Sequence, residues 1–139
     1  MGAFYDCTNL TSINFPSCTT IGTNAFAYCS NLTSISFPNC NTIGAGAFAS
    51  CSNLTVVDLP NCTTISSRAF AFCSNLTSIS FPKYLSTSSI NDGVFDHCIS
   101  LINADFPNCI TIGAGAFSDC TNLTSINFPS CTTIGPSAF

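Results

Sequence analysis

Positive charge is nearly absent from this 139-residue chain: Arg68 and Lys83 are its two basic residues, against six aspartates and a net charge of -4. Binding nucleic acid requires clustered Lys and Arg to neutralise phosphates, so nucleic acid is excluded as a natural partner, and an anionic membrane surface with it. No run of about 18 apolar residues exists to span a bilayer, so no direct membrane insertion is expected. The amino terminus has no basic segment followed by an apolar stretch of the kind that directs export. Histidine occurs once, there is no G-x-S-x-G or phosphate-binding glycine loop, and no acid pair recurs. An enzyme is therefore not expected, nor a cofactor.

What the chain does have is apolar content and period. Hydrophobic residues make up 46% of it, enough for one continuous core. Phe4, Phe26, Phe48 and Phe70 are 22 residues apart; after one step of 25, Phe95, Phe117 and Phe139 resume the count. Six strand units begin at Leu10, Leu32, Leu54, Leu76, Leu101 and Leu123, each reading L-x-x-I-x-F or a close variant. Positions four and six of the unit alternate as one face of a strand does, so positions two, three and five face out. A proline follows each unit, at 16, 38, 60, 82, 107 and 129, and ends the strand because it has no N–H to donate. Ile21, Ile43, Ile65, Ile90, Ile112 and Ile134 return the chain, and Gly22, Gly44, Gly113 and Gly135 mark a turn where backbone freedom is useful. One such coil cannot bury its own apolar face, whereas coils stacked about 4.8 Å apart in a parallel sheet can. Six strands would make a sheet roughly 25 Å wide. The repeat runs from the first residues to Phe139, so residues 1–139 form a single solenoid, read as a segment of a longer protein.

The strings LTSINFPSC, LTSISFPNC and LTVVDLPNC, with the return IGAGAFASC, resemble the leucine-rich-repeat signature and its BspA-like class. That resemblance implies a right-handed solenoid, with one parallel sheet on the concave side and short turns, irregular or 3-10 segments on the convex side. It also implies a cell-surface or secreted adhesin that binds host or microbial proteins, including glycoproteins.

Eleven cysteines follow the repeat in two columns. Cys18, Cys40, Cys62, Cys109 and Cys131 fall in the turn after the strand; Cys7, Cys29, Cys51, Cys73, Cys98 and Cys120 lie three residues after the core Phe. Neighbours are half a coil apart, and no C-x-x-C pair starts a zinc site, so no metal is expected. Within a column, copies about 4.8 Å apart lie inside disulfide range, but parallel side chains favour reduced, buried ladders. Tyr84 stands where the fourth copy should carry a cysteine.

The outward strand positions are mostly Thr, Ser and Asn, the β-favouring and soluble residues that a copied repeat would carry. Val56, Asp58, Ile102, Asn103 and Asp105 depart from that pattern and are candidates for partner selectivity. The repeated N-L-T and N-C-T triplets are glycosylation acceptors on paper, but their asparagines precede each strand where they can bond turn backbone. The fourth copy holds seven residues between Pro82 and Ile90 where regular copies hold four. Lys83, Tyr84, Asp92, Asp96 and His97 gather in and after this irregular stretch, near 83–89, and insertions in solenoids tend to form a functional rim. The favoured function is a non-enzymatic interaction module using the concave sheet and that rim. A structural spacer or an end-to-end self-associating repeat scaffold is the alternative, and an ice-binding surface built on the Thr column is a distant third.

Overall fold

A computed structural model describes residues 2–81 and 89–139. Among them twelve short strands alternate along the chain: β1 (Ser12–Asn14), β2 (Thr20–Ile21), β3 (Ser34–Ser36), β4 (Thr42–Ile43), β5 (Val56–Asp58), β6 (Thr64–Ile65), β7 (Ser78–Ser80), β8 (Ser89–Ile90), β9 (Asn103–Asp105), β10 (Thr111–Ile112), β11 (Ser125–Asn127) and β12 (Thr133–Ile134). The three-residue strands come from the L-x-x-I-x-F units and the two-residue strands from the Thr-Ile returns, Ser-Ile in β8. No described residue is helical.

Every pairing is parallel and joins equivalent positions of adjacent copies, as in Ser12↔Ser34 and Ile13↔Ile35. The register survives the irregular copy, because β7 meets β9 as Ser78↔Asn103. The ladder therefore keeps its register between the strands that flank this stretch.

Two features go beyond the single six-stranded sheet expected from the repeat. The two-residue strands form ladders of their own, so each coil is held on two sides. Both ladders also divide in the middle: β1-β3-β5 and β7-β9-β11 on one side, β2-β4-β6 and β8-β10-β12 on the other. Continuity across the division comes from a third side, where tight turns bond from coil to coil. There Phe48 N donates to Ala69 O, Phe70 N to Val94 O and Phe95 N to Ala116 O, at 2.8–2.9 Å. Within each turn, i+3 to i bonds such as Ala27 N to Asn24 O and Cys29 N to Phe26 O close successive reverse turns.

The core is a column of rings. Phe26, Phe48, Phe70, Phe95 and Phe117 are at most 4% exposed. Phe4 and Phe139 extend the stack at either end, with centroids 5.0–5.7 Å apart and planes within 20°. Each stacked pair adds about 0.5–1.5 kcal/mol beyond area burial. A second column follows strand position six but has Leu59 in the third coil, beside the division between β5 and β7.

The glycines correct a reading of the sequence. Gly44 is needed for close approach: a Cβ there would lie 2.7 Å from the Gly22 carbonyl carbon and from Thr23 N. The left-handed residue is two positions further on, at Gly46, where φ is +61°.

Candidate functional site

Val56, Asp58, Ile102, Asn103 and Asp105 all lie on the long-strand side of the solenoid. Their neighbours there are largely occupied in holding coils together. Thr33 Oγ1 donates to Thr11 O at 3.0 Å and Thr55 Oγ1 to Thr33 O at 3.1 Å, so the Thr column reinforces the ladder. Ser36 Oγ donates to Asp58 Oδ2 and Asn127 Nδ2 to Asp105 Oδ1, each at 2.8 Å, which orients both carboxylates along the surface. Val56 is 56% and Ile102 43% exposed, in the third and fifth coils. Sequon asparagines are similarly engaged: Asn31 Nδ2 donates to Thr8 O at 2.7 Å, Asn53 to Asn31 Oδ1, Asn75 to Asn53 Oδ1, and Asn61 to Pro38 O.

The cysteines are free and mostly buried, and each column has one repeated hydrogen bond. Cys18, Cys40, Cys62, Cys109 and Cys131 donate Sγ–H to the carbonyl two residues on, at 3.2–3.6 Å. Cys29, Cys51, Cys73, Cys98 and Cys120 donate to the core Phe carbonyl of the preceding coil, at 3.1–3.3 Å. Burial raises the thiols of Cys29, Cys40, Cys73, Cys98 and Cys109 above their ordinary pKa, and pushes Cys51 and Cys62 to about 12 and Cys120 to about 11. A buried thiol that keeps its proton is a poor nucleophile and metal ligand.

The remaining predicted residues separate from the strand side. Lys83 and Tyr84 fall outside the described residues. Asp92, Asp96 and His97 lie on the turn side, where the coil register sets them beside residues that sequence reasoning did not select. His97 Nδ1–H donates to Asp96 Oδ1 at 2.7 Å, so the adjacent pair does meet. Its Nε2 lies 3.5 Å from Asp119 Oδ2 in the next coil, and its ring stacks on Phe72 of the preceding coil at 4.5 Å. One ligand atom from each of Asp96, His97 and Asp119 falls within 4.8 Å of the others, a polar cluster on the open side of the solenoid. Asp92 Oδ1 accepts from Ala114 N at 2.9 Å. Arg68 lines the same shallow groove as Asp92 and Asp96, about 400 Å³ in volume.

Phe72, His97 and Asp119 belong to one column, the residue immediately before the second-column cysteine: Asp6, Tyr28, Ser50, Phe72, His97, Asp119. All six adopt φ between +56° and +63°, and none is glycine. An L-residue held there costs about 1–2 kcal/mol relative to ordinary backbone. Aligning the copies on their cysteines would have revealed the column. The strand motif drew attention instead to the opposite side of the coil.

The sequence profile of the BspA type leucine rich repeat region matches six copies here, over residues 1–106 and 41–139. The chain belongs to the BspA-type leucine-rich-repeat family. A search of curated proteins finds no match to this BspA-type chain. Solved structures resemble it along most of its length. A leucine rich cell surface protein from Faecalibacterium prausnitzii is 31% identical with a TM-score of 0.72, over 86% of this chain and 31% of that one. A leucine-rich repeat protein from Bacteroides ovatus is 26% identical with a TM-score of 0.68, over 96% of this chain and 42% of that one. A T. pallidum leucine rich repeat protein, 24% identical with a TM-score of 0.71 over 91% of this chain and 73% of that one, shares the fold. This BspA-type chain thus spans under half the length of the F. prausnitzii and B. ovatus proteins. Leucine-rich-repeat proteins are generally protein-interaction modules and typically non-enzymatic.

Proposed function

We propose that this BspA-type solenoid is the non-enzymatic binding segment of a cell-surface or secreted adhesin, engaging protein partners of host or microbial origin through its outward strand positions. The observation that carries the reading is the exposure of Val56 and Ile102 on a surface otherwise made of short polar side chains. About half of each of these apolar residues is left open to solvent among Ser, Thr and Asn. Flanked by the oriented carboxylates of Asp58 and Asp105, they offer a partner buried apolar contact within a polar rim, the usual composition of a protein interface. The cell-surface description of the F. prausnitzii relative supports the location. Lys83 and Tyr84, in the irregular fourth copy and outside the described residues, are further candidates for the same partner.

The test is panning of a displayed library of domain-sized protein fragments against the chain, followed by titration of recovered domains into three proteins. These are the unaltered chain, a Val56→Ser/Ile102→Thr variant, and a variant with residues 83–89 replaced by Ser-Cys-Thr-Thr. Binding at least tenfold weaker to either variant supports the reading. Recovery of no domain, or equal binding to all three proteins, overturns it.

A further inference from the structure

The turn side of the solenoid carries what the strand side lacks. Tyr5, Tyr28 and Phe72 are 46–52% exposed there, and Arg68 lies across from them. Aromatic residues and arginine are the side chains that most often dominate protein interfaces. Between them runs a groove of about 510 Å³ that includes Ala27, Ala49 and Ala71, whose small side chains let a ligand approach the backbone. At Arg68 it continues into the groove lined by Asp92 and Asp96. Its length follows the stacking direction, and five coil steps of about 4.8 Å give roughly 24 Å, the span of about seven extended residues.

Copy-to-copy variation singles out this side. Strand position two is Thr in five of six copies, whereas the column before the cysteine reads Asp, Tyr, Ser, Phe, His, Asp. The repeat has glycine available for left-handed backbone and uses it at Gly2, Gly46, Gly93 and Gly115, four residues earlier in the turn. At the column before the cysteine it never does, although every residue there is left-handed. The conformational cost is borne without recovery in the core, because the Tyr28 and Phe72 rings are half exposed.

We infer that the turn side is a recognition groove for an extended polypeptide segment, with apolar side chains along Tyr28 to Phe72 and a lysine or arginine at Asp96, His97 and Asp119. The inference rests on the reading of the solenoid as a protein-binding module and names a site and a ligand for it. Charge complementarity selects the basic end: Asp92 and Asp96 line the far part of the groove, and Asp119 adjoins it through the cluster it forms with Asp96 and His97. The end of the groove that takes the basic residue is fixed, because the aromatic wall belongs to the earlier coils and the carboxylates to the later ones.

The experiment is selection of a random twelve-residue phage-displayed peptide library on the chain, then fluorescence anisotropy with synthetic versions of the selected peptides. Selected sequences should carry an apolar block adjoining a Lys or Arg at one end. A Tyr28→Gly/Phe72→Gly variant should bind them at least tenfold more weakly while its melting temperature stays level or rises, because glycine suits the left-handed sites. Asp96→Asn/Asp119→Asn should weaken binding mainly at low ionic strength, and Val56→Ser/Ile102→Thr should leave it unchanged. Failure to select any peptide overturns the inference, as do peptides that respond to Val56→Ser/Ile102→Thr but not to Tyr28→Gly/Phe72→Gly. Either failure leaves the broader protein-binding reading standing if protein domains are still recovered by fragment panning.

Discussion

Repetition puts the same residue at the same position in different surroundings from one coil to the next. Glycine is the clearest case. At Gly44 an added methyl would press on the backbone of the preceding coil, whereas a Cβ at Gly22 meets nothing within 4 Å. Gly44→Ala should therefore cost about 1–3 kcal/mol by overpacking, while Gly22→Ala should be neutral or slightly stabilising. Paired denaturant titrations of the two variants check this. Cysteine gives a second residue-level prediction. Burial raises Cys51 and Cys62 from 9.0 to about 12, so between those values the folded chain keeps protons that the unfolded chain loses. Stability should be independent of these thiols below pH 9 and fall as pH rises toward about 12, by up to about 1.4 kcal/mol per unit for each thiol. Urea titrations of the reduced chain from pH 8 to 11 should show the decline. A flat profile would contradict the buried thiol ladders.

At the level of elements, strand position and core face were legible because Leu, Ile, Phe and Pro recur at fixed offsets. Ile35, Ile79 and Phe81 are buried where period-two alternation places them. Less legible was what holds coils together away from the motif. The Thr-Ile strands are only two residues long, too short to announce themselves by alternation, and the turn ladder is built from left-handed residues that include Tyr, Phe and His. The division between β5 and β7 was also hidden, since Ser78, Ile79 and Ser80 repeat the motif of Ser34, Ile35 and Ser36. That division predicts uneven local stability: β3 and β9 are paired on both sides, β5 and β7 on one. Native-state hydrogen exchange should show the amides of β5 and β7 opening before those of β3 and β9. Uniform protection across all four strands would mean that the division has no energetic weight.

For the whole molecule, the solenoid is a scaffold that repeats its interior and varies its surface. The sequence located the strand-side candidates Val56, Asp58, Ile102, Asn103 and Asp105, because departures from a repeated motif stand out. It separated Asp96 and His97 from Asp119 and Phe72, because neighbours across coils are 22 or 25 residues apart and become adjacent only once the register is known. The two sides have complementary compositions, oriented carboxylates with isolated aliphatics on one and aromatic rings with clustered carboxylates on the other. A family whose members are generally interaction modules has use for both. The central claim is that these surface positions, separable from the fold, bind protein. It is tested most directly by isothermal titration of a domain recovered by panning into the unaltered chain, Val56→Ser/Ile102→Thr, Tyr28→Gly/Phe72→Gly and Gly44→Ala, each with its melting temperature. The account predicts at least tenfold weaker binding to one or both surface variants at unchanged or higher melting temperature, with Gly44→Ala less stable but still binding wherever it remains folded. Full-strength binding by both surface variants, with affinity lost only where the fold is lost, would contradict it.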